Sequence, residues 1–284
     1  MKKSILTALM VSGLAFTANA QIQQPIAPPS GTGFYVGVHG GYNFGINSKG
    51  SPYLGAYETV YQSGPDPDTV VPFSLGKGAN FGLNIGYMFT SNLGAELGVD
   101  YLLGSDNKFN NRDADYPGYS EQLRLSGKMI QFKPAVVFRA GTGNLKPYAK
   151  VGVVVGVGSK ITSEYEEREP EFNYSYDWYE EYNGGTAVGF HGALGIDYAL
   201  NNQMSLFGEV LATGLNYSPD KGKVTRYNRD GQDRLSTLDT DEREIIFVDT
   251  NDNVNTPNTQ PRKELKFSAP FSSVGLNVGV KYRF

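Results

Sequence analysis

From Phe34 to the last residue, apolar side chains recur at every second position in one segment after another. Between Phe34 and Phe44 one parity reads Phe34, Val36, Val38, Gly40, Tyr42 and Phe44, and the other Tyr35, Gly37, His39, Gly41 and Asn43. Successive side chains of a strand point to opposite faces, so this pattern predicts a strand with one greasy face. The second segment sets Phe81, Leu83, Ile85, Tyr87 and Phe89 against Asn80, Gly82, Asn84 and Gly86. The third sets Leu93, Ala95, Leu97, Val99 and Tyr101 against Gly94, Glu96, Gly98 and Asp100. The fourth alternates Ile130, Phe132, Pro134, Val136 and Phe138 with Gln131, Lys133, Ala135 and Arg139, and the fifth carries Ala149, Val151, Val153, Val155 and Val157 on one face. The sixth opposes Val188, Phe190, Leu194, Ile196 and Tyr198 to His191 and Asp197. The seventh, Met204 to Tyr217, is less regular, and the eighth alternates from Val274 to Phe284 against Gly275, Asn277, Gly279, Lys281 and Arg283.

The connections alternate in length. Residues 90–92, 141–144 and 201–203 are tight turns, whereas 46–78, 104–124, 160–184 and 218–270 are long. Short turns on one side and long loops on the other mark a transmembrane barrel. A soluble lipocalin-like barrel also alternates, but it would place the apolar parity inside. Here the other parity carries both signs of charge, Glu96, Asp100, Asp197 and Glu209 against Lys133, Arg139, Lys150, Lys281 and Arg283, with glycines between them. Such a set suits a narrow polar lumen in which acids and bases pair. The expected fold is all-β: an eight-stranded antiparallel up-and-down transmembrane β-barrel with long extracellular loops. With lipid outside, every backbone donor and acceptor must find a neighbouring strand.

Composition and the first residues agree with this. Lys2, Lys3, an apolar stretch from Ile5 to Phe16 and Ala18-Asn19-Ala20 form a secretory signal with a cleavage site, so residues 1–20 are expected to be removed. Residues 21–32 read as a Pro-rich periplasmic lead-in and 33–284 as the barrel domain. No later run is apolar enough for a membrane-spanning helix. The absence of cysteine excludes disulfides and a lipoprotein anchor. Loss of Lys2 and Lys3 leaves 23 basic against 29 acidic groups, a net −6 that argues against nucleic-acid binding. Residues 160–184, with eight acids and two bases, account for all of it.

The opening Gly33-Phe34-Tyr35-Val36-Gly37 and the closing Gly275-Leu276-Asn277-Val278-Gly279-Val280-Lys281-Tyr282-Arg283-Phe284 resemble the small outer-membrane β-barrel family of Gram-negative bacteria. The resemblance implies a barrel of the eight-stranded kind without a periplasmic domain, expected to be monomeric and embedded in outer-membrane lipid and lipopolysaccharide. It also implies that Val280, Tyr282 and Phe284 are the signal presented to the outer-membrane assembly machinery. Strand pairing supplies the rationale, because a last strand with an aromatic-rich face can add to an open sheet edge.

Candidate chemistry is sparse. His39 and His191, the only histidines, fall on the inward parity, where two imidazoles near Asp100 or Asp197 lack a defined third ligand, so no metal or cofactor is expected. No histidine lies in a predicted loop, which disfavours His-dependent outer-membrane proteases and acyltransferases, and the chain is expected not to be an enzyme. The 160–184 loop combines its acids with Tyr165, Phe172, Tyr174, Tyr176, Trp178, Tyr179 and Tyr182. Those rings suit stacking on a glycan or gripping an extracellular protein, and the carboxylates suit cations bridging lipopolysaccharide; equally, the alternation at 172–178 fits a hairpin extended above the membrane. Asp249 to Asn255 has calcium-loop oxygen spacing but Val254 and Gln260 at the sixth and twelfth positions, so it reads as loop. Residues 223–248, with Arg226, Arg229, Arg234 and Arg243, are placed outside lipid. Two roles follow: a surface protein whose loops bind partners or stabilise the envelope, or a narrow channel lined by the charged lumen.

Overall fold

The computed structural model describes residues 31–49, 52–64, 68–141, 143–251 and 256–284. The expected leader, most of the lead-in and four positions of the calcium-like loop therefore lie outside the described residues. Eight strands form the barrel: β1 (Gly33–Gly45), β2 (Gly78–Met88), β3 (Leu93–Gly104), β4 (Ser120–Arg139), β5 (Leu145–Glu169), β6 (Ala187–Ala199), β7 (Met204–Tyr217) and β8 (Ser273–Arg283). Each pairs antiparallel with the next. The last pairs antiparallel with the first, from Tyr35 opposite Arg283 to Gly45 opposite Ser273. Two of the turns are held by side chains that mimic backbone: Thr90 Oγ1 accepts from the amides of Asn92 and Leu93, and Asn201 Oδ1 from those of Gln203 and Met204.

Burial runs opposite to that of a soluble protein. Phe34, Val38, Phe81, Leu83, Ile85, Val151, Phe190, Leu194, Leu276 and Val278 are exposed, while His39, Glu96, Asp100, Lys133, Lys150, Asp197, Glu209 and Lys281 are buried. Monomers in water rarely expose apolar patches beyond a few hundred Å², so a continuous belt of this kind requires lipid. Aromatic rings mark both edges of the belt. Phe34 packs edge-on to Tyr87 and Tyr282 on Phe284 at one end, and Tyr42 meets Phe44 and Phe81 meets Tyr101 at the other. The ten steps from Phe34 to Phe44, at about 3.3 Å each and tilted about 40°, span about 25 Å, the height of a lipid-facing band.

Beyond the belt the structure departs from the long loops expected. β4 and β5 run 20 and 25 residues, and their upper halves pair with the further strands Asn107–Asp113 and Tyr174–Asn183, so most of 104–124 and 160–184 is strand. The reason is a bulge: pairing moves from Lys128 opposite Lys160 to Ile130 opposite Val157, and Gly158 takes the left-handed conformation, φ 58°, that such a bulge needs. One extra residue on β5 switches its inward parity from Val154 and Gly156 to Ser159 and Ile161, so a period-two pattern breaks at 158 although the strand does not. Tyr174–Asn183 pairs with the upper half of β5, and Lys221–Arg229 continues the sheet. Glu244–Val248 then pairs with the start of Lys221–Arg229 and runs parallel to Arg262–Leu265. The Arg-rich 223–248 segment accordingly lies outside the lipid belt, as expected, but it is structured.

These segments bury a second core at the outer mouth of the barrel. Leu102, Leu125, Met129, Val154, Leu215 and Tyr217 from barrel strands pack with Leu54, Phe73, Leu75, Tyr182, Ile245, Phe247, Phe267 and Phe271 from the connections. Backbone bonds stitch the connections together, Leu75 N to Pro270 O at 2.8 Å, Phe271 N to Leu215 O at 2.9 Å and Phe247 N to Asp220 O at 2.8 Å. The barrel therefore carries a folded cap and not four separate loops.

Candidate functional site

Below the apolar core, the lumen is filled by side chains of the inward parity. Lys150 Nζ, on β5, lies 2.7 Å from Glu96 Oε1 of β3 and 2.9 Å from Glu209 Oε2 of β7. Each of those carboxylates accepts a tyrosine hydroxyl, Tyr35 on Glu96 at 2.7 Å and Tyr148 on Glu209 at 2.8 Å, and Asn277 Nδ2 donates to Glu209 at 3.2 Å. Room for the two rings comes from glycine: a Cβ at Gly86 would coincide with the Tyr35 ring, and one at Gly195 with the Tyr148 ring. Farther toward the cap, Lys133 Nζ donates to Asp100 Oδ2 at 2.5 Å, and His39 Nε2 approaches Asp100 Oδ1 at 3.3 Å. Toward the turns, Lys281 Nζ donates to Asp197 at 2.7 Å and sits 4.3 Å and 4.4 Å over the rings of Tyr148 and Phe207.

The residues singled out in the lumen thus converge, with three differences. Arg283 is half-buried and has no carboxylate within ion-pair reach among the described residues, and Arg139 reaches Asp197 only at 3.9 Å. Lys146, buried and overlooked by the parity argument, joins the same end. Phe207, Leu211 and Leu215 also point inward beside Glu209 and Thr213, which is why β7 looked irregular: both of its faces carry large apolar side chains. His191 is buried with neither ring nitrogen hydrogen-bonded, and among the described residues no group of three His, Cys, Asp or Glu is placed to hold a metal ion.

Outside the membrane, the aromatic loop residues divide between two faces and a tip. Tyr176 stacks on Trp178 with planes 6° apart, Tyr227 packs 5.3 Å from Trp178, and Tyr165 lies 5.9 Å from Tyr176. Tyr174 lies on the same face of its strand, half-buried, with the Arg229 guanidinium 5.7 Å from its ring. Tyr182, also on that face, is 3% exposed in the cap core and so is not a surface contact. Tyr179 projects to the opposite face, where its hydroxyl donates to Glu166 and Arg226 covers its ring at 4.2 Å. Phe172 is 73% exposed in the tip turn Pro170–Phe172, which Asn173 closes in the left-handed conformation. Burial, and then the neighbouring Tyr227, push the Tyr176 phenol up to about 12. Burial, followed by repulsion from Glu121 and Glu169, raises the Glu167 carboxyl above its usual range.

At the chain's end, Tyr282 and Phe284 face outward on the lower aromatic girdle, 37% and 75% exposed, with Val280 on the same parity. The profile of the outer membrane protein beta-barrel domain matches residues 6–242, most of the chain. The chain belongs to that family. Its barrel lies in the outer membrane, with the cap on the side of the long connections. Uncharacterized proteins of Brucella abortus (strain 2308) and Brucella melitensis biotype 1 are 29% identical over 118 residues, 38% of this chain and 42% of theirs, so the chain matches less than half the length of those relatives. Among solved structures, Neisserial surface protein A is 11% identical, with a TM-score of 0.37 over 90% of this chain and 98% of that one. Acinetobacter baumannii CarO2 is 12% identical, with a TM-score of 0.33 over 92% and 100%. Scores this low carry no argument about this barrel's function.

Proposed function

We propose that this outer-membrane barrel is a non-enzymatic surface protein in which the lipid-embedded strands anchor a folded cap that binds an extracellular protein or glycan. The observation that carries the reading is the aromatic row of Tyr165, Tyr176, Trp178 and Tyr227, lifted clear of the lipid belt on a sheet continuous with the barrel. Rings held in a rigid sheet offer contact area at little entropic cost, as stacking on a sugar or gripping a protein requires. Glu167, on the same face and directly across the ladder from Tyr176, is suited to hydroxyls, basic side chains or bridging cations, whereas Glu164 and Glu166 lie on the opposite face, where Arg124 pairs with both.

The test is binding of intact cells to a glycan array and to host extracellular proteins, comparing wild type with Trp178→Ala and Tyr176→Ala. Point substitutions are preferred to deletion of 160–184, because Tyr182 belongs to the cap core. Loss of a captured ligand in both variants supports the reading; unchanged capture by both removes this face as the contact. The rival channel reading draws on the charged lumen, but the eight-strand interior is occupied by its own side chains and the apolar core lies across its outer end.

A further inference from the structure

Charge is not evenly matched along the lumen. In the middle tier, Lys133 and Lys150 face Asp100, Glu96 and Glu209, a balance of −1. At the turn end, Arg139, Lys146, Lys281 and Arg283 gather around one carboxylate, Asp197, a balance of +3. Asp197 is bonded to Lys281, and it stands directly across the ladder from Lys146. Arg283 and Arg139 both act electrostatically on Lys146. Arg139 is 5% exposed, and its Nε and Nη1 have no hydrogen-bond partner. A buried guanidinium with unmet donors and Asp197 no nearer than 3.9 Å is costly, so among the described residues this tier is short of counter-charge.

The same end opens into a small cleft, partly open to solvent, bounded by Lys146, Asp197 and Arg283 and by Asn144, Asn201, Gln203 and Ser205 of the adjoining turns. Asn201 Oδ1 is used by the amides of Gln203 and Met204, which holds the amide plane and presents its Nδ2 as a fixed donor at the rim. An arginine fork, a lysine and neutral amides around one cleft suit an anion with several oxygens better than a halide.

We propose that the periplasmic mouth of this barrel is a binding site for a small oxyanion, phosphate or carboxylate, held by Lys146 and Arg283 and backed by Arg139. The anion supplies the negative charge that Asp197 alone does not, and it enters from the periplasm, away from the cap. Asp197 limits the affinity, since it competes for the same cations.

The experiment uses the full folded chain in detergent micelles, with folding checked by heat-modifiable gel mobility, and follows the ³¹P line width of inorganic phosphate during titration. Saturable broadening is expected, relieved by acetate. Lys146→Gln weakens it by about tenfold or more, as loss of a hydrogen bond to a charged group does, Asp197→Asn tightens it several-fold, and Lys108→Gln, on the exposed cap, leaves it unchanged. A parallel arm titrates short-chain phosphatidylglycerol; saturation there and not with free phosphate supports the site with a lipid headgroup as its anion. Non-saturable broadening in both arms, or saturation that Lys146→Gln and Asp197→Asn leave intact, overturns the proposal.

Discussion

The Tyr35 hydroxyl donates to Glu96 at 2.7 Å, across 61 residues of chain. The same separation recurs between Tyr148 and Glu209, at 2.8 Å, and Lys150 bonds both carboxylates. Two halves of the barrel thus repeat one device, a tyrosine laid over a neighbouring-strand glycine and tied to a glutamate, and a single ammonium joins them.

Replacing Lys150 with methionine leaves two buried carboxylates without a cation. The expected loss is about 3 to 5 kcal/mol, read from the urea midpoint of the folded gel band. Adding Glu96→Gln to that variant is expected to recover part of it. A midpoint within about 1 kcal/mol of wild type would show that the network does not hold the strands together.

Gly86→Ala drives a methyl into the Tyr35 ring. Overpacking of this kind costs about 1 to 3 kcal/mol, whereas Gly40→Ala, where the nearest atom is 3.8 Å away, should be neutral by the same urea assay. Equal effects at both positions would refute the close-packing account.

Val278, 69% exposed on the lipid face and opposite Gly40 near the middle of the belt, is expected to tolerate arginine poorly, at about 2 to 4 kcal/mol. Spin labels at Val153 and Leu276 should report acyl chains, and labels at Gly152 and Asn277 should not. A reversed result would overturn the assignment of faces.

The raised Glu167 carboxyl gives the upper hairpin a pH dependence of known sign. Its folded form holds a proton more tightly than the unfolded chain, so its contribution favours folding below the ordinary carboxylate value and is lost as pH rises through the raised one. Protease nicking in 160–184 should therefore slow as pH falls from neutral toward the ordinary carboxylate value, and Glu121→Gln should flatten that change. Nicking that accelerates with acid contradicts the sign.

Phe271 lies in the core across the outer mouth, its ring 2.7 Å from where a Cβ on Gly127 would stand. Phe271→Ala should cost about 3 to 5 kcal/mol in cap stability. Planar-bilayer recordings are expected to show no stepwise current in wild type, and steady unitary current from it would restore the channel reading.

The barrel strands, their turns and the inward position of every lumen residue from Glu96 to Arg283 were legible, because a two-sided environment writes itself into parity. The cap was not. Its strands bury Val224, Ile245, Phe247 and Tyr182 among polar neighbours in short runs, and the Gly158 bulge displaces the pattern by one residue where β5 leaves the membrane. Lys146 was missed because it lies three residues before Ala149, where the alternation of the fifth segment was counted from. Pairing partners such as Lys150 with Glu96 and Glu209 depend on register across the lumen, which no single strand records.

The unbroken passage of β4 and β5 from lipid into water has a mechanical corollary. Load applied to the aromatic sheet travels along two hydrogen-bonded ribbons directly into the barrel wall, with no pivot between them. Whatever docks there meets the cell at a fixed angle, and tension on it is resisted in shear across the whole β4–β5 ladder instead of being absorbed by a slack tether.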